Sequence, residues 1–253
     1  MTRFYKLIIA LTLFIPVSHL FSACSKTSSA PGYLYLPSVM EVTYLNEPEK
    51  SGRIEFEYNS FRQITAIKKH YTNNDSYVLT YTYDDFLKLT TINKVTEEGT
   101  TKYEIAYDDI NNSYIPLSVK VITPDNQETD YPVTVPTQHN YQIAAQTMHI
   151  NPEYDLLGIN QTSINFNTNA GIFNDAVFQL AFYLGSFDTD FRDFSFFAKR
   201  QINSSTTASV NYNYTSERNG NNSIIKYEVF TQGTQTKVME NNIQYQTITI
   251  PGE

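Results

Sequence analysis

Residues Tyr77–Ile92 read YVLTYTYDDFLKLTTI. Tyr81 and Tyr83 sit at alternate positions, the period of a half-buried strand. Asp84-Asp85 then supplies a turn, because Asp and Asn side chains bond nearby backbone groups and tolerate left-handed conformations. Leu89 and Ile92 belong to a second strand. A close relative, Ile54–Ile67 (IEFEYNSFRQITAI), lies upstream, and a shorter one, Tyr103–Ile110 (YEIAYDDI), lies downstream. Aligning Phe56 with Tyr81, Tyr58 with Tyr83, Phe61 with Phe86, Ile64 with Leu89 and Ile67 with Ile92 gives a period of 25 residues, and Tyr107 follows Tyr83 by 24. Such a period marks an array of like units, here β-hairpins. The turn residues are Asn59-Ser60, Asp84-Asp85 and Asp108-Asp109.

Hairpins in succession predict a mainly all-β fold: an antiparallel meander forming an open curved sheet with one face buried. The repeated tyrosines read first as sheet packing with the hydroxyl at the solvent edge. Tyr81, Tyr83, Tyr212 and Tyr214 are the positions where such rings could instead stack on a ligand.

Composition agrees with a packed β protein. Hydrophobic residues make up 41% of the chain and aromatics 14%, which excludes a disordered composition. Tyr (20) and Phe (16) carry the aromatic content, and Trp is absent. The formal charge of −8 and the lack of any basic run longer than Lys68-Lys69 argue against nucleic-acid binding, which rewards clustered cations.

The N-terminus carries the sharpest functional signal. Arg3 and Lys6 precede an apolar stretch, Leu7–Val17, and the small residues Ser22 and Ala23 follow. This is a signal peptide over 1–23. Cys24, the only cysteine, excludes an internal disulfide. Phe21-Ser22-Ala23-Cys24 resembles the lipobox of bacterial lipoproteins, with Phe21 where Leu is usual. The resemblance implies a diacylglycerol on the Cys24 sulfur and cleavage before it. Residues 24–32 then read as a lipidated tether, small, polar and rich in breakers. Ser25 after the cysteine implies, by the same resemblance, the outer membrane. The absence of acids after it slightly favours a periplasm-facing position.

Residues 33–253 read as a single β-rich domain, divisible into sub-units 33–122 and 140–253. A short strand is expected over Met40–Tyr44. The prolines Pro124, Pro132 and Pro136 make Thr123–Gln138 a long connection or an edge segment. Asn174–Leu184 (NDAVFQLAFYL) is apolar nearly all round, which predicts a short buried helix about 174–184 with Asn174 as N-cap and Gly185 past its end. Phe187–Phe197 clusters aromatics with Asp188, Asp190 and Asp193. Tyr212 and Tyr214 open a degraded copy of the repeat, and Asn219-Gly220 is a hairpin turn signal.

The motif Tyr81-Thr82-Tyr83-Asp84-Asp85-Phe86-Leu87-Lys88-Leu89 resembles the tyrosine–aspartate repeats of Rhs-type surface proteins. The order of features is similar to a group of Bacteroidetes lipoproteins of uncharacterised function: lipobox, Tyr-rich hairpins, Gly171–Asn174 opening an apolar segment, then further hairpins. The resemblance implies an all-β lipoprotein domain and assigns no catalytic residue.

No catalytic or metal set emerges from the motifs. His70, His139 and His149 lie ten or more residues apart, unlike zinc ligands. Adjacent acids on a strand point to opposite faces, whereas glycosidases need two facing carboxyls. No cofactor is expected. The reading is therefore a non-enzymatic outer-membrane lipoprotein, attached to the membrane through Cys24, that is structural or binds a glycan or an envelope protein. The alternative is a carrier of an apolar ligand under the 174–184 helix, and a glycan or peptide hydrolase ranks last.

Overall fold

The computed structural model describes residues 32–72, 76–108, 113–187 and 196–250. The larger of two compact units, Leu34–Ile248, holds the barrel; in the smaller, residues 1–33 and 249–253, the described residues are the first two of the opening strand and the last two of the closing one. Signal, lipobox and tether up to residue 31 lie outside the described residues, as do Asp188, Asp190 and Asp193.

The architecture is all-β, but the sheet is a closed barrel and not an open curved sheet. Its first half comprises β1 (Gly32–Tyr44), β2 (Gly52–Tyr58), β3 (Ile64–Tyr71), β4 (Ser76–Tyr83), β5 (Leu89–Thr96), β6 (Gly99–Tyr107), β7 (Pro116–Ile122) and β8 (Glu128–Thr137). Then come β9 (Asn140–Ile143), β10 (Gln146–Ile150), β11 (Leu156–Ile159), β12 (Thr162–Ala170), β13 (Arg200–Thr206), β14 (Asn211–Arg218), β15 (Ile224–Thr231) and β16 (Lys237–Ile250). Each strand pairs with its sequence neighbours, and β1 closes on β16. The Leu45 N–H donates to the Val238 carbonyl at 2.9 Å, and Ser38 Oγ to the Gln244 carbonyl at 3.2 Å, across that seam. Strands from both expected sub-units share the one sheet. Local periodicity cannot reveal closure, because closure is a pairing between the two ends of the chain.

The residues expected as a connection or edge, Thr123–Gln138, contain the full strand β8. A closed barrel has no edge. Pro132 faces Ser118 in the β7–β8 pair, and Pro136 falls where the β8–β9 register breaks between Thr134 and Thr137. There its missing N–H costs no ladder bond.

The repeat has a physical cause at two positions. The first is the turn. Asn59 Oδ1 accepts from the Phe61 and Gln63 N–H groups, both at 3.0 Å. Asp84 Oδ1 accepts from Phe86 at 2.9 Å and Lys88 at 2.8 Å. Asn219 Oδ1 accepts from Asn221 and Ser223, both at 3.0 Å. The left-handed residue is the third after the polar one: Arg62 (φ 65°), Leu87 (φ 63°) and Asn222 (φ 62°). Gly220 therefore does not serve as the positive-φ residue of a two-residue hairpin turn. The second is the tyrosine that precedes the turn. Tyr58 donates its hydroxyl to the Pro37 carbonyl (2.9 Å), Tyr83 to Ile64 (2.8 Å) and Tyr107 to Leu89 (2.7 Å); Tyr245, inside β16 and not before a turn, donates likewise to Ile224 (2.9 Å). Ile64, Leu89 and Ile224 each stand where the ladder register shifts. Tyr83, Tyr107 and Tyr245 thus latch the neighbouring strand where its register shifts, and Tyr58 latches β1.

Inward positions are mostly apolar, and the outer face carries rows of charged side chains. Ile54, Phe56, Leu79, Tyr81, Ile92, Tyr103, Ile105, Val119, Tyr227 and Val229 are buried. On the outer face, Arg53 bridges Glu41 and Glu55, Lys120 lies between Glu104 and Glu128, and Lys226 and Lys237 sit between the facing Glu228 and Glu240. A membrane-spanning barrel shows the reverse, an apolar band outside and a polar lumen, with charges on the lipid face costing about 2–4 kcal/mol each at the midplane. These strands face water.

The space inside is filled by the connection between β12 and β13. It holds the short helix α1 (Leu180–Leu184), every residue of which is buried. This is shorter than the expected 174–184 segment, and Asn174 is not its cap. The Val177 N–H is taken by the Arg62 carbonyl at 3.0 Å, and Asp175 Oδ2 accepts the Tyr35 N–H at 2.7 Å. Contacts with the wall thus hold residues 175–177 before the helix begins. Gly185 ends it as expected, its N–H donating to Ala181 O at 2.8 Å. Phe182 stacks on Tyr81 with ring centres 5.3 Å apart and packs against Phe178 (5.3 Å) and Phe197 (5.2 Å). Phe173 stacks on Phe197 at 4.7 Å and meets Phe56 edge-on at 5.2 Å.

Two outcomes follow from these contacts. Phe182→Ala empties the centre of the aromatic cluster and should cost about 3–5 kcal/mol in chemical denaturation. Glu104, Glu228 and Glu240 are held below the usual carboxylate range, chiefly by hydrogen bonds from Lys102 or Lys237. A carboxylate lowered by folding adds stability above its unfolded pKa, about 4.3, and loses it as pH falls through the folded value. Melting at low salt should therefore weaken below about pH 4.5, and less so in a Glu228→Gln, Glu240→Gln variant. Because these groups are partly exposed, salt should shrink the difference.

Candidate functional site

The plug enters at one rim, beside the turns at 59–63 and 84–88. At the opposite rim a cavity of about 440 Å³ remains. Tyr44, Tyr212, Tyr214, Ser205 and Thr207 line it, with Val229, Val238 and Met239 supplying apolar wall. Five strands contribute or flank these residues, from β1 and from β13 to β16. The period-2 pattern turns Tyr212 and Tyr214 inward, and pairing places them opposite Thr231 and Val229. Ser205 Oγ and Tyr214 Oη are 2.9 Å apart. Burial raises the Tyr214 phenol above its ordinary range, so it stays a neutral hydrogen-bonding group.

Deeper on β16, the next inward residue after Met239 is Asn241. It is fully buried, and neither its Nδ2 nor its Oδ1 has a hydrogen-bond partner. Each such group costs about 1–3 kcal/mol when buried unpaired. On the β3–β5 wall near the same rim, Lys69 Nζ lies 4.2 Å from the Tyr71 ring centre, and Lys94 Nζ lies 5.6 Å from that of Tyr77. These cation–π contacts put positive charge among inward tyrosines.

Of the four tyrosines singled out as ligand contacts, the structure brings Tyr212 and Tyr214 together at the cavity. It places Tyr81 and Tyr83 elsewhere, on β4. Tyr81 is buried under Phe182, next to the Ser186 hydroxyl but without a hydrogen bond of good geometry, and Tyr83 is the latch to Ile64. Burial is the main cause that raises both phenols. Cys24 lies outside the described residues. Tyr44, Ser205, Thr207 and Asn241 were not legible as a set. For Asn241 a signal exists: it is the polar residue in the inward series Met239, Asn241, Ile243, Tyr245.

The buried Asp155 is structural. Its carboxylate accepts from the Lys199 N–H at 2.6 Å and Arg200 Nε at 2.9 Å, which fastens the plug's exit to the β10–β11 turn. Among the described residues, no group of three or more His, Cys, Asp or Glu is placed to hold a metal ion. No described helix is long and apolar enough to cross a membrane.

No family model matches the chain, and no curated protein does. Among solved structures, the chain is similar to the crystal structure of a porin-like protein from Bacteroides uniformis. Identity is 11%, the match covers 83% of this chain and 98% of that one, and the TM-score is 0.47. At that score the likeness carries no weight for fold or function.

Asn241→Leu keeps the branched shape and removes the unpaired amide. It should raise stability by about 1–3 kcal/mol in chemical denaturation. Unchanged or lower stability would mean that the amide is already satisfied in solution.

Proposed function

We propose that this protein is a non-enzymatic binding protein, held at the outer membrane by a lipid on Cys24, whose barrel mouth takes a sugar-like ligand. The observation that carries the reading is the tyrosine-lined cavity opposite the plug. Its size suits a small ligand better than a protein surface. Aromatic faces beside hydroxyls suit the apolar faces and hydroxyl edges of a sugar ring. An apolar ligand under the helix is disfavoured, because Phe173, Phe178, Phe182 and Phe197 already occupy that space. The charged outer wall supports attachment through a lipid over insertion of the strands.

The test is a panel of envelope and dietary-type glycans, followed by titration calorimetry on any that are retained. Tyr212→Ala should weaken binding about tenfold or more, equivalent to about 1.4 kcal/mol, while Tyr83→Phe leaves affinity unchanged. No retained glycan, or equal affinity in Tyr212→Ala, sinks the proposal.

A further inference from the structure

Three neighbouring turns on the plug's entry rim hold apolar side chains out in water. Phe61 is 54% exposed, Phe86 73%, Tyr114 48% and Ile115 41%. They occupy the β2–β3, β4–β5 and β6–β7 connections, successive along one arc. The turns at 151–155 and 219–223, farther round the same rim, lead with Asn, Pro, Glu and Gly. Leu117 (54%), beside Ile115, extends the row, whereas Val135 (45%) and Ile225 (38%) stand singly farther round; a contiguous apolar row marks a contact surface.

The chain enters the barrel unit beside this arc. The Tyr35 N–H donates to Asp175 Oδ2 at 2.7 Å, and the Asp175 carbonyl accepts from Nη1 of Arg62, the residue after Phe61, at 3.4 Å. Nine residues lie between Cys24 and Leu34. At full extension that stretch spans at most about 35 Å.

We infer that this arc rests on the bilayer, with Phe61, Phe86, Tyr114 and Ile115 seated among the lipid headgroups. The inference rests on the lipid-anchor reading above. Each side chain alone binds a membrane weakly. A tether of this length makes the contact intramolecular and multiplies its occupancy. Moving apolar tips from water to the interface then drives docking. The consequence is orientation: the tyrosine-lined mouth, at the other rim, faces away from the membrane.

The chain has no tryptophan, so Phe86→Trp places a single reporter on the arc. Full-length protein is bound to vesicles of phosphatidylethanolamine and phosphatidylglycerol, with and without brominated acyl chains. The expected result is a blue-shifted emission, quenched by the brominated lipid. Leu45→Trp, on the opposite rim, should be unquenched. Emission from Phe86→Trp that ignores brominated lipid, in protein that floats with the vesicles, overturns the proposal. Failure of the anchor is seen separately, as protein with a free thiol that does not float. Such protein is coupled through Cys24, its sole cysteine, to maleimide-headgroup lipid in the same vesicles. The quenching measurement then decides docking whether or not the cell acylates the chain.

Discussion

A ring of sixteen strands encloses more space than its own inward side chains can fill. The rest of this structure depends on how that space is occupied. The chain spends the β12–β13 connection on it, with Phe173, Phe178 and Phe182 converging on Phe197 and on Phe56 and Tyr81 of the wall. The polar ends of this segment are tied to the barrel. Gln179 accepts the Leu89 N–H at 3.0 Å, Tyr183 donates to the carbonyls of Tyr154 and Phe197, and Asp155 holds the exit. Fill and wall are therefore one cooperative core.

The plug also gives the barrel two unlike ends. One rim receives the buried segment, the start of the chain's barrel unit and the turns capped by Asn59, Asp84 and Asn219. The other keeps an open mouth between β1 and β13 to β16. A wall that is apolar inside and laddered with ion pairs outside lets the ring stand in water. The ladders individually add little, since exposed pairs are screened. Their stronger role is to make the outer face incompatible with lipid.

Much of the wall was legible. The 25-residue spacing of Tyr58 and Tyr83 found real hairpins, and the turn chemistry of Asn59 and Asp84 is local enough to read directly. The hydroxyl latches explain why tyrosine recurs where phenylalanine would pack as well. β8 was obscured because its prolines suggest an edge, and only the partner strands show that Pro136 sits at a break in register. At the cavity, Tyr212 and Tyr214 were legible as inward aromatics. Their difference from Tyr81 and Tyr83 was not, because all four share the same local pattern.

By itself the sequence determined most of the hairpin strands, the polar residues that open their turns and the buried character of the 180–184 segment. Each of these depends on residues near one another along the chain, through side-chain alternation, short-range hydrogen bonds and composition. Only the tertiary structure decided that the sheet closes, that the apolar segment lies inside it, and that Tyr44 and Tyr212 line one mouth. Those outcomes rest on contacts between segments far apart along the chain, such as Leu45 with Val238 and Arg62 with Val177. Local periodicity records which way a side chain points, and folding alone decides what it then meets.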